Sequence, residues 1–340
     1  MEKKIKVVFF QRKPRQLANF SVESYFKKIR ESLPSEFEVI YYEMPFENRG
    51  IFRRFANAIC CAFHQGDINH IAGDIHYIAL FLKKSKTVLT VLDCGMLRQA
   101  TGFKKIIFRL FWFQIPALRV KYIIAISTST KLDLLKYINF DPLFIKVIYI
   151  CVDEQFVKSE KPFNASKPII LQIGTTPNKN LERLIPAIQG LDVKLVIIGK
   201  VSLDVKALLD LNNIEYTLYE RRLSDNEILN KYIDCDIVSF VSTIEGFGMP
   251  IVEANCVGRV VITSNIDSMP EVADDAALLV NPFDVLEIRN GIVSLIEMDE
   301  LRNKLIEKGF ENQKRFKIEE LVKQHVGVYK SIFDAHKVSN

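Results

Sequence analysis

The sequence predicts an α/β protein built of two doubly wound units, each a parallel sheet with crossover helices. Three observations carry that expectation. Short apolar, β-branched runs alternate along the chain with segments of helical periodicity, the order that parallel sheets with crossover connections require. Length is the second, because 340 residues suit two domains that each bury a core of their own. The third is a break in both periods at 153–167, where Pro162, Asn164 and Ser166 mark a linker.

In the first half, strands are expected at 5–10, 37–42, 68–71, 87–92, 122–126 and 145–150. These runs have the composition of strands covered on both faces. Val22, Tyr25, Phe26, Ile29 and Leu33 recur at helical spacing between the first two. In the second half the strands fall at 169–173, 195–198, 216–219, 237–241, 260–264 and 277–280. Ser224 followed by Glu227 forms a capping box that opens the helix before the fourth of these. The N-terminus is basic and then apolar, yet its apolar run stops at Gln11-Arg12. It is too short for a signal peptide and reads as the first strand.

Composition bounds the class. Apolar residues at 49% and charged residues at 26% describe an ordinary soluble globular protein. No uninterrupted apolar stretch reaches spanning length, so the chain is not expected to be integral to a membrane. The six cysteines show neither paired metal spacing nor a dense disulfide framework, which favours a reduced, cytoplasmic setting.

Charge is uneven. The first 150 residues carry 24 Lys and Arg against 12 Asp and Glu, whereas the remainder is net negative. No acidic residue occurs between Asp93 and Asp133. Within that stretch Phe103, Ile106, Ile107, Leu110 and Phe111 recur at helical spacing, punctuated by Lys104, Lys105 and Arg109 and followed by Trp112. Two readings stand side by side: a basic amphipathic helix lying on an anionic membrane surface, or a core helix with a solvated basic edge. Nucleic acid is not expected as a partner, for neither zinc-finger spacing nor a ribonucleoprotein aromatic motif is present.

The chemistry concentrates at 236–255. An apolar run ending at Val241 is followed by Gly246, Gly248 and Pro250, which reads as strand, glycine turn and helix. Glu245 then stands at the carboxyl end of the strand, where open α/β sheets bind ligands. Amid helix N-terminal donors, which already serve anions, a carboxylate is better suited to sugar hydroxyls or ring nitrogens. Two turns on, Glu253 is expected about 80° round the helix from Glu245, so both can look into one cleft. A vicinal diol such as a ribose suits Glu253. In the same unit Gly174 ends a strand and Lys179 follows within a short loop, just before an expected helix start at Asn180. Lysine at a helix N-terminus opposes the dipole unless an anion lies between them, and a diphosphate is such an anion.

These residues resemble a known family. Glu245 and Glu253 around Gly246-Phe247-Gly248-Met249-Pro250 look like the glutamate, seven residues, glutamate signature of glycosyltransferase family 4, whose members are retaining and use nucleotide sugars. The likeness extends through Gly174-Thr175-Thr176-Pro177-Asn178-Lys179, Ile198-Gly199-Lys200 and Pro270-Glu271-Val272. It implies the GT-B architecture, two Rossmann-like domains facing a cleft: an acceptor-binding domain at 1–155, a donor-binding domain at 165–317, and a C-terminal helix in 318–340 crossing back onto the first. It implies transfer of a hexose from a UDP- or GDP-linked sugar to an acceptor hydroxyl in cell-surface polysaccharide or glycolipid assembly. No metal or other cofactor is expected, so Asp234-Cys235-Asp236 reads as structural. Partners would be the nucleotide sugar, a glycan or lipid-linked acceptor and an anionic membrane surface, placing the protein in the cytoplasm, peripheral at the inner face of the membrane. Residue by residue, Lys179 takes the diphosphate, Glu245 the transferred sugar and Glu253 the ribose. Gly174, Thr175, Gly246, Phe247, Gly248 and Met249 line the donor, and Leu223, beside Arg222, borders the base.

The chain also departs from the family pattern. Leu92-Asp93 stands where many relatives have His-Asp, which makes His70 and His76 candidate substitutes beside Asp93 at the acceptor or sugar. Thr175, Thr176 and Asn178 occupy the loop where an arginine is common, and Gln16 to Ser21 replaces a paired-glycine loop, with Ser21 able to cap the first helix. Leu92 and the missing arginine leave open a nucleotide-sugar-binding subunit with impaired catalysis, and the same fold also admits a GT-B nucleotide-sugar epimerase. A nicotinamide dehydrogenase is disfavoured, because neither half has Gly-x-Gly-x-x-Gly after its first strand.

Overall fold

The computed structural model describes residues 4–13 and 21–338. The loop at 16–20 therefore lies outside the described residues, as does the side chain of Ser21, at which the first helix begins. The chain divides into two compact units, one of residues 1–151 with 318–340 and the other of residues 152–317.

The first unit holds a sheet of β1 (Ile5–Gln11), β2 (Phe37–Glu43), β3 (Ile68–Ala72), β4 (Thr87–Val91), β5 (Tyr122–Ala125) and β6 (Ile145–Val147). Their spatial order is β2-β1-β3-β4-β5-β6, and every neighbouring pair is parallel. Period two explains how one strand serves two cores. Val8 and Phe10 enter one core with Met44, Ala58, Cys61, Trp112 and Phe113, while Val7 and Phe9 enter the other with Phe26, Ile29, Leu321 and Tyr329. Both faces are thus covered, as a parallel sheet requires.

The helix Ile318–Val338 belongs to this unit. Buried hydrogen bonds fasten it: His70 bridges the Tyr329 hydroxyl and the Thr90 hydroxyl, each at 2.7 Å. His325 Nδ1 donates to the Leu321 carbonyl at 2.8 Å, and Tyr25 donates to His325 Nε2 at 3.4 Å. Burial pushes the His70 ring well below the ordinary histidine range and His325 down to about 4, so both stay neutral.

The second unit repeats the design with β7 (Ile169–Ile173), β8 (Lys194–Ile198), β9 (Glu215–Tyr219), β10 (Ile237–Phe240), β11 (Val260–Ser264) and β12 (Leu278–Val280). Their order is β12-β11-β10-β7-β8-β9, again parallel throughout. The chain winds outward from β7 to β9 and then returns to place β10 on the other side of β7. That reversal creates a switch point between β7 and β10, where loops leave in opposite directions and open a ligand crevice. Ser224 and Glu227 form the expected capping box at the start of the helix Asp225–Asp234. Asp236 is structural: it accepts from Lys161, from the Asn164 N–H at 3.2 Å and from the Ile169 N–H at 2.8 Å, clamping the linker to the strand starts.

The basic segment of the first unit bears on one of the two readings offered for it. A helix Gly102–Phe108 runs into a π-helical turn, Arg109–Gln114. Phe103, Ile106, Ile107, Leu110 and Phe111 all lie exposed, which overturns the core-helix reading for that stripe. Trp112, which follows the stripe, is buried with Phe113. At about 100° per residue Trp112 falls about 180° round from Phe103, so the exposed stripe and the buried indole occupy opposite faces of one helical segment.

Candidate active site

Glu245 and Lys179 leave the carboxyl ends of β10 and β7, the two strands that flank the switch point. Lys179 Nζ donates to Glu245 Oε1 at 2.6 Å, with both side chains mostly shielded. Asn178 Nδ2 reaches the same oxygen at 3.2 Å and the Ile244 carbonyl at 3.0 Å, tying the two loops together. The Lys179 ammonium also stands 4.5 Å from the ring centroid of Phe240 on β10.

Local conformation explains how Lys179 reaches across. Gly174 has φ +86°, and a Cβ there would meet Lys179 Cε at 2.9 Å. Only glycine therefore lets the lysine stem lie over the strand end. Lys179 closes a short 3-10 turn, Pro177–Lys179, and Asn180 follows in the left-handed region before the helix Leu181–Ala187. Asn180 does not cap that helix with its side chain. Its Nδ2 donates to the carbonyls of Val241 and Pro282 at 2.9 and 2.7 Å, binding the turn to the β10 loop.

Of the two turn glycines, Gly248 carries the positive φ, +126°, and the helix Met249–Val257 starts directly after it with Pro250 in its first turn. Glu245 precedes that helix, so the angular relation expected within one helix does not apply. Lys179, paired with Glu245, acts on Glu253 only through its charge, which opposes the rise in the pKa of that carboxyl. Glu253 accepts a hydrogen bond from the Tyr232 hydroxyl. Burial pushes its carboxyl up to about 7, with Asp153 and Asp225 adding to the rise and Tyr232 opposing it.

The remaining donor-side residues divide by accessibility. Thr175 donates its hydroxyl to the Lys200 carbonyl at 2.7 Å, and its methyl occupies the space a Cβ on Gly199 would need. Phe247 is buried, its ring packed on Phe316 at 5.6 Å, and its carbonyl accepts from Ser268 at 2.6 Å. Leu223 is buried too, while its neighbours Arg221 and Arg222 are exposed, so the loop expected beside the base turns those two side chains outward.

Asn178, noted from the sequence only as an occupant of its loop, and three residues not singled out from the sequence, Tyr232, Asp267 and Ser268, complete the arrangement. Asp267, at φ +56°, accepts from the Glu245 N–H at 3.2 Å, and Ser268 Oγ donates to the Glu245 carbonyl at 3.1 Å. A signal for the last pair existed, because Met269-Pro270 after β11 repeats the Met249-Pro250 helix start after β10.

The first unit offers its own switch point between β1 and β3. Arg12, just past β1, donates to Asp74 at 3.0 Å and to Glu23 at 3.2 Å. Asp93 lies exposed past β4, its Oδ1 accepting from the Gly95 N–H at 2.7 Å. The histidines proposed beside it are core residues. His70 is fully enclosed with both nitrogens engaged, so no acceptor can reach it. His76 is buried, donates from Nδ1 to the Trp112 carbonyl at 2.8 Å, and is held below its ordinary pKa mainly by burial.

Comparison with known proteins agrees with this geometry. Residues 153–312 match the family described as glycosyl transferases group 1. The second unit belongs to that family. Among curated relatives of this group 1 glycosyltransferase domain, O-antigen chain mannosyltransferase B of Escherichia coli is 30% identical over 171 residues, covering 47% of this chain and 45% of that protein. An uncharacterised glycosyltransferase of Methanocaldococcus jannaschii is 29% identical over 193 residues, covering 55% and 54%. The matched region thus spans about half the length of these relatives. Among solved structures, Anabaena HepE in complex with UDP and glucose aligns at TM-score 0.77 and 16% identity, over 96% of this chain and 100% of that one. WaaG, a glycosyltransferase involved in lipopolysaccharide biosynthesis, aligns at 0.70 and 15%, over 95% and 99%. At these identities the likeness is one of fold, and the fold is GT-B.

Proposed function

We propose that the protein is a retaining glycosyltransferase that moves a hexose, mannose first among the candidates, from a UDP- or GDP-linked donor to a hydroxyl of a glycan or lipid-linked acceptor. The observation that carries this reading is the Lys179–Glu245 pair at the switch point of the second unit. Mannose is favoured by the kinship with O-antigen mannosyltransferase B. A polysaccharide or glycolipid pathway fits the same relative, and the proposal adds a site at the inner membrane face and a donor held without a metal cofactor.

The difficult step is departure of the nucleoside diphosphate as positive charge grows at the anomeric carbon. Lys179 would leave Glu245 for the diphosphate and stabilise its departing charge, with peptide N–H groups at the start of the helix Met249–Val257 assisting. Glu245, released from the lysine but still fixed by Asn178 and by backbone bonds to Asp267 and Ser268, would hold and polarise the sugar through its hydroxyls. That anchorage suits a fixed acceptor of hydrogen bonds better than a mobile covalent nucleophile. Glu253 would take the ribose diol, so the two carboxylates do not flank one scissile bond as in retaining glycosidases. In the first unit Asp93 and the Arg12–Asp74–Glu23 cluster supply the groups for the acceptor.

The test is incubation with UDP and GDP sugars while free nucleotide is measured, with and without a lipid-linked acceptor. Acceptor-dependent release with retained anomeric configuration supports the reading. Binding without release would make the chain a nucleotide-sugar-binding subunit, and an isomerised donor would make it an epimerase. A Glu245→Ala variant that kept full turnover would sink the site assignment.

A further inference from the structure

The first unit presents an apolar surface for which its own core has no use. The helix Ile51–Ala62 sends Asn57, Ala58 and Cys61 inward, yet leaves Ile51, Phe52, Phe55 and Ile59 exposed, Phe52 at 91%. Phe63, just beyond its end, is exposed too. Beside this helix lies the segment from Gly102 to Gln114 with its own outward Phe103, Ile106, Ile107, Leu110 and Phe111. The two meet where the Arg54 guanidinium stands 5.0 Å from the Trp112 ring centroid, while Tyr77 touches both, its hydroxyl 3.4 Å from Asn57 Nδ2 and its ring 5.8 Å from that of Trp112. Scattered exposed leucines need no explanation, but two neighbouring helical faces that both turn aromatic residues outward mark an interaction surface.

Charge narrows the partner. Neither 48–66 nor 94–132 contains an acidic residue. Arg49, Arg53, Lys104 and Arg109 are all exposed along these segments, with Glu47 3.7 Å from Arg53 as a surface pair. A second copy docking by a two-fold axis would set these cations against one another. An anionic bilayer satisfies both properties at once, taking apolar side chains into its acyl boundary and cations at its headgroups.

We propose that the helix Ile51–Ala62 and the segment Gly102–Gln114 together form a docking face for an anionic phospholipid bilayer, with Phe52 and Phe103 inserting and Arg49, Arg53, Lys104 and Arg109 meeting phosphates. The proposal deepens the proposed function, since it rests on a lipid-borne acceptor for its purpose, and it extends the basic patch of one helix to a two-element surface. Position supports it. The segment between β2 and the helix Ile51–Ala62 is held to the carboxyl end of β3, because Asn48 Nδ2 donates to the Asp74 carbonyl at 2.9 Å and Arg54 Nε donates to Asn48 Oδ1 at 3.2 Å. The docking face therefore begins at the sheet end where α/β units receive ligands.

Flotation of the full chain with phosphatidylcholine vesicles, with and without phosphatidylglycerol, tests it at low and high salt. The wild type should float with the anionic vesicles at low salt and detach from them as salt rises. Phe52→Ser with Phe103→Ser should weaken that binding about tenfold or more through lost apolar insertion. Lys104→Glu with Arg109→Glu should weaken it about fivefold or more per position and flatten the salt dependence. No flotation with phosphatidylglycerol vesicles at low salt, or variants that float like the wild type while keeping its melting curve, would overturn the proposal. So would concentration-dependent self-association that Phe52→Ser abolishes without vesicle binding. Donor turnover on a soluble acceptor is measured in parallel. If the wild type floats but turns nothing over, the transferase reading fails and the docking face stands; if it turns over but does not float, the reverse holds.

Discussion

Glu253 should make the second unit progressively less stable as pH rises towards neutrality. Its carboxyl, buried against Tyr232, is pushed from the ordinary 4.5 up to about 7. Between those values the unfolded chain has released the proton while the folded protein still holds it, so folding binds a proton and stability falls with rising pH. The slope approaches about 1.4 kcal/mol per pH unit. The full penalty, about 3 kcal/mol from the same slope, is present above about 7 and absent below 4.5. Glu253→Gln keeps the shape and still accepts from Tyr232, yet carries no charge to desolvate. Urea denaturation of both proteins across pH 4.5 to 8.5 should show near-equal stability at the acid end and the variant gaining by up to about 3 kcal/mol at the alkaline end. Tyr232→Phe removes the one hydrogen bond that favours the carboxylate and should move the transition to higher pH. Parallel stability curves for wild type and Glu253→Gln would refute the burial argument, for the carboxyl would then titrate alike in both states.

The other expectations are briefer. Lys179→Ala should lower turnover about 10²- to 10³-fold, the usual cost of removing one preorganised charge stabiliser, with nucleotide release as the readout; unchanged turnover would remove Lys179 from the chemistry. Gly174→Ala must hold φ +86° and place a methyl 2.9 Å from Lys179 Cε, so a stability loss of about 1–2 kcal/mol and weaker donor binding by calorimetry are expected. His325 is depressed to about 4 from 6.5, so its contribution is whole above 6.5 and is lost as pH falls towards 4. Amide exchange should accordingly show the helix Ile318–Val338 losing protection over that interval before the second unit does, and Tyr329→Phe should lower the stability of the first unit by about 1–3 kcal/mol through the unpaired His70 nitrogen.

The strands were legible because a parallel sheet buried on both faces writes itself as an uninterrupted apolar run, as at 169–173 and 260–264, where expected and observed bounds coincide. Helix starts were legible where the chain supplies its own cap, as Ser224 does with Glu227. The π turn at Arg109–Gln114 was not, since apolar spacing carries no mark of an i→i+5 bond. His70 looked like a chemical group because a histidine in an apolar strand reads the same whether it faces a ligand or a buried tyrosine 259 positions away. Tyr232 and Asp267 were missed for the converse reason. Their partners are set by how the helices pack and by a left-handed residue after β11, and neither is a pattern along the chain.

The chain leaves the first unit after Cys151, makes the whole of the second, and returns at Ile318 to finish the first. One core of that earlier unit includes Leu321, Val322, Val328, Tyr329 and Ile332. Emerging from a ribosome, the N-terminal sheet must therefore wait, with Val7, Phe9 and His70 uncovered, while the second unit has every residue it needs to fold. The first half to be synthesised is the last to be completed, and in that interval a nascent-chain chaperone would find its longest-lived apolar target on the β1 face that the final helix closes.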